Sequence, residues 1–226
     1  MPESLPRRLP RGRHALAREE VERIQRSRLC QAMAEVMTEK GYVGTSVEDV
    51  LKRAGVSRQS FYTLFSSKID CFMAAFACAG ELLLERLGAA IGDGAGGVPA
   101  GPASAGPAPA ADERLELCER AILAYLGALA DELPYARLFL VEVYAAGPEA
   151  IQRRSRLQEV ISDALADLLG TGDEAGRFAC RVIVAATSAM VTVPVAENDR
   201  DALRALGPPL IEHVRLLWKA GVLRPS

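Results

Sequence analysis

Arg58, Gln59, Ser60, Tyr62 and Thr63 fall within six consecutive positions, and each carries a side chain suited to reading or holding a nucleic acid. Arginine can bridge O6 and N7 of guanine, and glutamine can bridge N6 and N7 of adenine. Serine, threonine and tyrosine hydroxyls can hold phosphates and set register. That chemistry requires a small element that keeps these residues outward while something else anchors it.

The flanking residues supply such an element. Ser46 can cap a helix start, and Asp49, three residues on, completes a capping-box pattern. Val47, Val50, Leu51 and Ala54 make a short apolar face, and Gly55 offers a turn where a positive φ is cheap. Val56 plugs the corner, Ser57 caps a second short helix, and Phe61, Leu64 and Phe65 turn inward. Two short helices joined by a glycine turn make a helix-turn-helix. The blander alternative is a helical hairpin with a polar face. Ser67 and Asp70 repeat the capping pattern, and Lys68 sets a charge beside exposed amides, which is also a phosphate site.

Around this motif the sequence is helical throughout, so the expected class is all-α. A first helix spans about 18–40 and stops at Gly41, and a long one spans about 68–91 with apolar residues at three- and four-residue steps. Further helices are expected at about 113–131, 134–145, 148–169 and 173–196, the last apolar nearly all round. A final segment after Asn198 must break at Gly207-Pro208-Pro209 and end near Ala220. Residues 92–111 hold six Gly, four Pro and seven Ala. That composition predicts a mobile loop and contains no P-loop spacing. The domains are then a flexible basic arm over 1–19, a helix-turn-helix domain over 20–72, and a larger helical domain over 73–226.

Charge divides the chain. Residues 1–74 hold 13 Lys/Arg against 9 Asp/Glu, and the remainder holds 14 against 20. A basic head on an acidic body suggests a polyanionic partner, with ordinary surface variation as the alternative. The arginines of the arm either touch DNA phosphate or solvate a tail. Five cysteines without a CxxC read as buried free thiols in a reducing cytosol. Cys71 and Cys78 share a helix face, which admits a minor redox reading. No export signal is visible, and the apolar run Val182–Ala196 is too short to span a bilayer comfortably. A soluble, cytoplasmic protein without a membrane partner is expected.

The run Gly41-Tyr42, Thr45-Ser46-Val47, Ala54-Gly55-Val56-Ser57, Phe61-Tyr62, Phe65 and Ser67-Lys68 resembles the DNA-binding domain of the TetR family. The likeness covers about residues 20–72. It implies that Thr45 or Ser46 touches phosphate, that Ser57, Arg58, Gln59, Ser60 and Thr63 face the major groove, and that Tyr62 and Lys68 hold the DNA backbone. Two positions depart from the family pattern. Leu64 stands where many relatives have a DNA-contacting histidine, and Leu51 stands where a small residue is common.

The resemblance further implies a homodimer on palindromic operator DNA, a small-molecule effector and, as the commoner mode, repression. Val182, Ile183, Ala186, Met190, Leu210, Val214 and Leu217 are candidates for the dimer face or for the core. Tyr125, Phe139, Glu142, Tyr144, Thr187 and Met190 are candidates for a hydrophobic ligand pocket; Glu142 is a polar anchor there or an ion-pair partner of Arg137. No cofactor or metal is implied. An enzyme is disfavoured, because His14 and His213 are the only histidines and no G-x-S-x-G, HExxH or CxxC occurs. The remaining alternative is a ligand-independent helical DNA-binding or protein-binding module.

Overall fold

The computed structural model describes residues 18–92 and 110–225. The expected arm therefore lies outside the described residues up to position 17, as does the Gly/Ala/Pro segment from 93 to 109. Among the described residues the structure is helical, with no strand: α1 (Arg18–Gly44), α2 (Val47–Ala54), α3 (Arg58–Leu64), α4 (Lys68–Gly92), α5 (Ala111–Asp131), α6 (Leu133–Arg137), a π-helical turn (Leu138–Glu142), α7 (Val143–Ala146), α8 (Pro148–Leu169), α9 (Glu174–Glu197), α10 (Arg200–Ala205) and α11 (Gly207–Lys219).

Local chemistry sets most of these boundaries. Ser46 and Asp49 form the capping box at α2, Gly55 closes it at φ 64° and ψ 36°, and Ser57 caps α3 by accepting from the Ser60 N–H. Gly147 and Pro148 open α8, and Gly170 ends it in the left-handed region. Pro208 and Pro209 sit in the first turn of α11, where a missing N–H is harmless.

Two departures from the sequence expectation matter. The first helix continues past Gly41, which adopts φ 67° and ψ 170° and kinks it. The segment expected as one helix over 134–145 instead widens into a π turn. In that turn the backbone advances by i→i+5 bonding, which brings residues five apart onto one face.

Two apolar cores result. The larger joins α1–α4 to α5, α6, the π turn and the ends of α9–α11 through Leu29, Met33, Phe61, Phe72, Phe76 and Leu140. The smaller gathers Cys118, Leu169, Cys180, Ile183, Val214 and Trp218 at the far end. The cysteines are free, and four of the five are buried. Cys71 faces the Leu29 carbonyl, whereas Cys78 hydrogen-bonds with Cys30. Cys71 and Cys78, both on α4, each lie close enough to Cys30 to raise its pKa.

Candidate functional site

The α2–α3 hairpin is anchored from behind. Phe61 is fully buried and Phe65 nearly so, with their rings 5.6 Å apart. Arg26 lies 4.7 Å over the Phe65 ring. Burial of two phenyl rings leaves the other positions of a seven-residue helix outward. Ser57, Arg58, Gln59, Tyr62 and Thr63 are exposed, and Ser60 is partly so.

Their free donors differ. The Ser57 hydroxyl is engaged with Ser60, and the Thr63 hydroxyl donates to the Gln59 carbonyl. Arg58 forms no ion pair within the described residues, so its guanidinium is available. Lys52, exposed at the end of α2, is likewise uncommitted and was not expected from the sequence. Its signal was its place one turn before Gly55, on the polar side of α2.

The structure revises two expected phosphate contacts. Thr45 is buried, and its hydroxyl donates to the Gly41 carbonyl at 2.7 Å. Ser46 remains exposed, but its hydroxyl caps α2 and bonds Asp49. Lys68 donates to the carbonyls of Tyr42 and Thr45, both at 2.9 Å, and its ammonium lies 4.3 Å over the Tyr42 ring. Thr45 and two of the three Lys68 donors thus fasten the hairpin to the bend after Gly41. The physical reason is the kink itself, which turns two carbonyls toward α4 and leaves them in need of donors. Lys40 and Ser46 together hold the Asp49 carboxyl well below the usual carboxylate range.

The same bend is held from the other side. The Tyr42 N–H donates to Glu142 Oε2 at 2.7 Å, and Glu142 Oε1 accepts from Arg137 Nε at 3.1 Å. Arg137 also donates to the Ala196 carbonyl near the end of α9. Glu142 is buried and takes the second of its two expected roles, as ion-pair partner of Arg137, not that of a ligand anchor. Its partner is Arg137, five residues back, because the π turn closes that spacing.

A second feature lies between α4, α5, the π turn, α8 and α9. It is a cavity of about 250 Å³ with almost wholly apolar walls. Of the expected pocket residues, Tyr125, Phe139 and Thr187 line it. Tyr144 does not. It is 55% exposed and accepts from Arg154. Nor does Met190, which is 44% exposed on the outer side of α9. α9 is apolar on two faces, and sequence periodicity does not say which face meets the cavity. Most of the lining was missed from the sequence, including Leu83, Leu87, Ile161 and Leu165 in the walls from α4 and α8. Their only signal was helical periodicity, which they share with every core position.

A described chain that is all helical, with a capped hairpin presenting polar side chains away from its core, has the build of a helix-turn-helix DNA-binding protein. The family model for bacterial regulatory proteins of the tetR family matches residues 29–75, the segment that holds the hairpin. The "Uncharacterized HTH-type transcriptional regulator YezE" of Bacillus subtilis (strain 168) is 46% identical over 41 residues, which are 18% of this chain and 21% of that protein. The match thus spans about a fifth of that relative's length.

Solved structures extend the likeness of fold. The transcriptional regulator FadR from Bacillus subtilis, in complex with stearoyl-CoA, superposes with a TM-score of 0.63 at 19% identity, covering 82% of this chain and 95% of its own. FadR from Bacillus halodurans gives 0.65 at 19% identity over 83% and 93%. A TetR-like transcriptional regulator from Rhodococcus sp. RHA1 gives 0.58 at 19% identity over 92% and 99%.

Proposed function

We propose that this protein is a homodimeric transcriptional repressor that binds a near-palindromic operator and is released from it by a small hydrophobic ligand. The observation that carries the reading is α3: Phe61 and Phe65 are locked in the core while Arg58, Gln59 and Tyr62 stand exposed. Arg58 and Gln59 are the base readers. Tyr62 and Lys52 hold phosphates, and Lys68 mainly sets the angle of the hairpin.

Dimerisation is supported by α9. Phe178, Val182, Met190 and Val193 are exposed along one side of it. α9 is long and apolar enough to cross a membrane by length and composition, yet only 28% of its most apolar stretch is buried within the chain. An apolar helix face of that extent calls for a cover. A second copy related by a two-fold axis supplies the same face, and a two-fold reader needs its reading helices about 34–36 Å apart, one turn of DNA. Of the other dimer-face candidates, Ile183, Leu210 and Val214 are core residues of the protomer.

The cavity is the ligand site in this reading. The stearoyl-CoA held by the Bacillus subtilis FadR structure supports a long apolar occupant. Phe139 connects the cavity to the reading half. It lines the cavity, stacks on Phe76 of α4 at 4.7 Å, and shares its π turn with Glu142, which holds Tyr42. An occupant that favours a shifted π turn moves α4 and the Gly41 bend together and lowers DNA affinity by population shift.

Selection of bound sequences from a random duplex pool tests the proposal. An enriched inverted repeat is expected, with its half-site preference altered in Arg58→Ala and Gln59→Ala. A pool without any enriched repeat rules the reading out.

A further inference from the structure

Beside one end of the cavity stands a cation, Arg154, with no counter-ion among the described residues. On α8 the cavity-lining positions run Gln158, Ile161, Leu165 and Leu168 at helical steps. Arg154 stands one turn before Gln158 and so caps that end. Its Nη2 donates to Ser188 Oγ at 2.7 Å and its Nη1 to the Tyr144 hydroxyl at 3.1 Å. Ser188 itself lines the cavity and is 5% exposed. The buried Arg154 Nε has no acceptor, and the residue forms no ion pair among those described. The neighbouring Tyr125 hydroxyl is buried and strongly disfavoured as a phenolate, so it provides no compensating negative charge. A guanidinium stays charged in any protein environment, and two neutral hydroxyls leave that charge uncompensated.

We propose that the cavity's ligand is an amphiphilic carboxylate, with its chain between α4, α5, α8 and α9 and its carboxylate on Arg154. The inference rests on the cavity's being the ligand site. A carboxylate supplies the acceptor that Arg154 Nε lacks and the charge that its surroundings lack, while Ser188 and Tyr125 offer hydroxyls at the same end. Charge-assisted bonds of this kind correspond to roughly a 10- to 100-fold gain in affinity over an uncharged head.

The test is calorimetric titration of the full chain with decanoate, decanol and decanoyl-CoA, for the natural protein, Arg154→Gln and Arg154→Lys. Trp218 fluorescence gives a second readout, because it is the chain's one tryptophan and packs with Ile183, Leu165 and Leu168 of the cavity wall. Decanoate is expected to bind about 10-fold or more tighter than decanol. Arg154→Gln is expected to bring that ratio near one, and Arg154→Lys to keep part of it. Equal binding of decanoate and decanol by the natural protein, or tighter binding of decanoyl-CoA than of either, overturns the carboxylate assignment and leaves the cavity reading standing. An equal loss of both ligands in Arg154→Gln overturns it too, since that marks a structural role. Failure of all three ligands to bind overturns the cavity reading together with it.

Discussion

The reading hairpin and the cavity end are built from hydrogen bonds of different reach. In the hairpin the partners are close in sequence: Ser46 with Asp49, Ser57 with Ser60, Gln59 with Thr63. At the bend behind the hairpin and at the cavity end they are distant. Glu142 reaches Tyr42 across 100 positions, Arg137 reaches Ala196 across 59, and Arg154 reaches Ser188 across 34. A surface closed by local bonds keeps its shape when its surroundings move. A junction closed by distant bonds changes whenever the elements it joins shift. The first suits a rigid reader and the second suits a switch.

Substitutions that separate the two kinds of bond sharpen this contrast. Glu142→Ala has the largest expected effect. It strands Arg137 and the Tyr42 N–H in a buried site, and urea denaturation should show a loss of about 3–5 kcal/mol. An unchanged midpoint would dissolve the distinction. Arg58→Ala should leave folding stability within about 0.5 kcal/mol. In competition binding it should cost about 1–3 kcal/mol of discrimination at one base position.

Gly55→Ala forces a Cβ into the left-handed region at φ 64°. Chemical denaturation should record a loss of about 1–2 kcal/mol. The smallest effect is that of the exposed Lys40–Asp49 pair. The depressed Asp49 pKa means that its contribution is complete above the ordinary carboxylate value, near pH 4, and fades as pH falls toward the depressed one. Asp49→Asn should lower stability slightly at neutral pH, and urea denaturation repeated across pH should show the difference from the natural protein closing as the pH falls.

The same division by reach explains what the sequence disclosed. Bonds within four residues leave a signature in residue types, so the caps at Ser46 and Ser57, the turn at Gly55 and the limits of α8 were all readable. The exposed face of α3 followed, because Phe61 and Phe65 could only point one way. Bonds across many positions leave no such signature. Thr45 and Lys68 read as phosphate ligands because nothing in their neighbourhood discloses that the Gly41 kink turns two carbonyls toward α4. The Arg137–Glu142 pair was readable because its members are five residues apart, whereas the bond from the Tyr42 N–H to Glu142 was not. Met190 and Tyr144 look like cavity residues because an exposed apolar or aromatic side chain and a cavity-lining one are of the same residue types.

The cavity also lies where the two apolar cores meet. Phe139 belongs to the larger core and Tyr125 packs against it, Cys118 and Ile183 belong to the smaller, and Ile122 packs against both. Whatever fills that space becomes mortar between two masses of side chains. Its arrival should therefore be felt in the calorimeter as a sharper single melting peak, so that a guest molecule governs how far this protein behaves as one cooperative body.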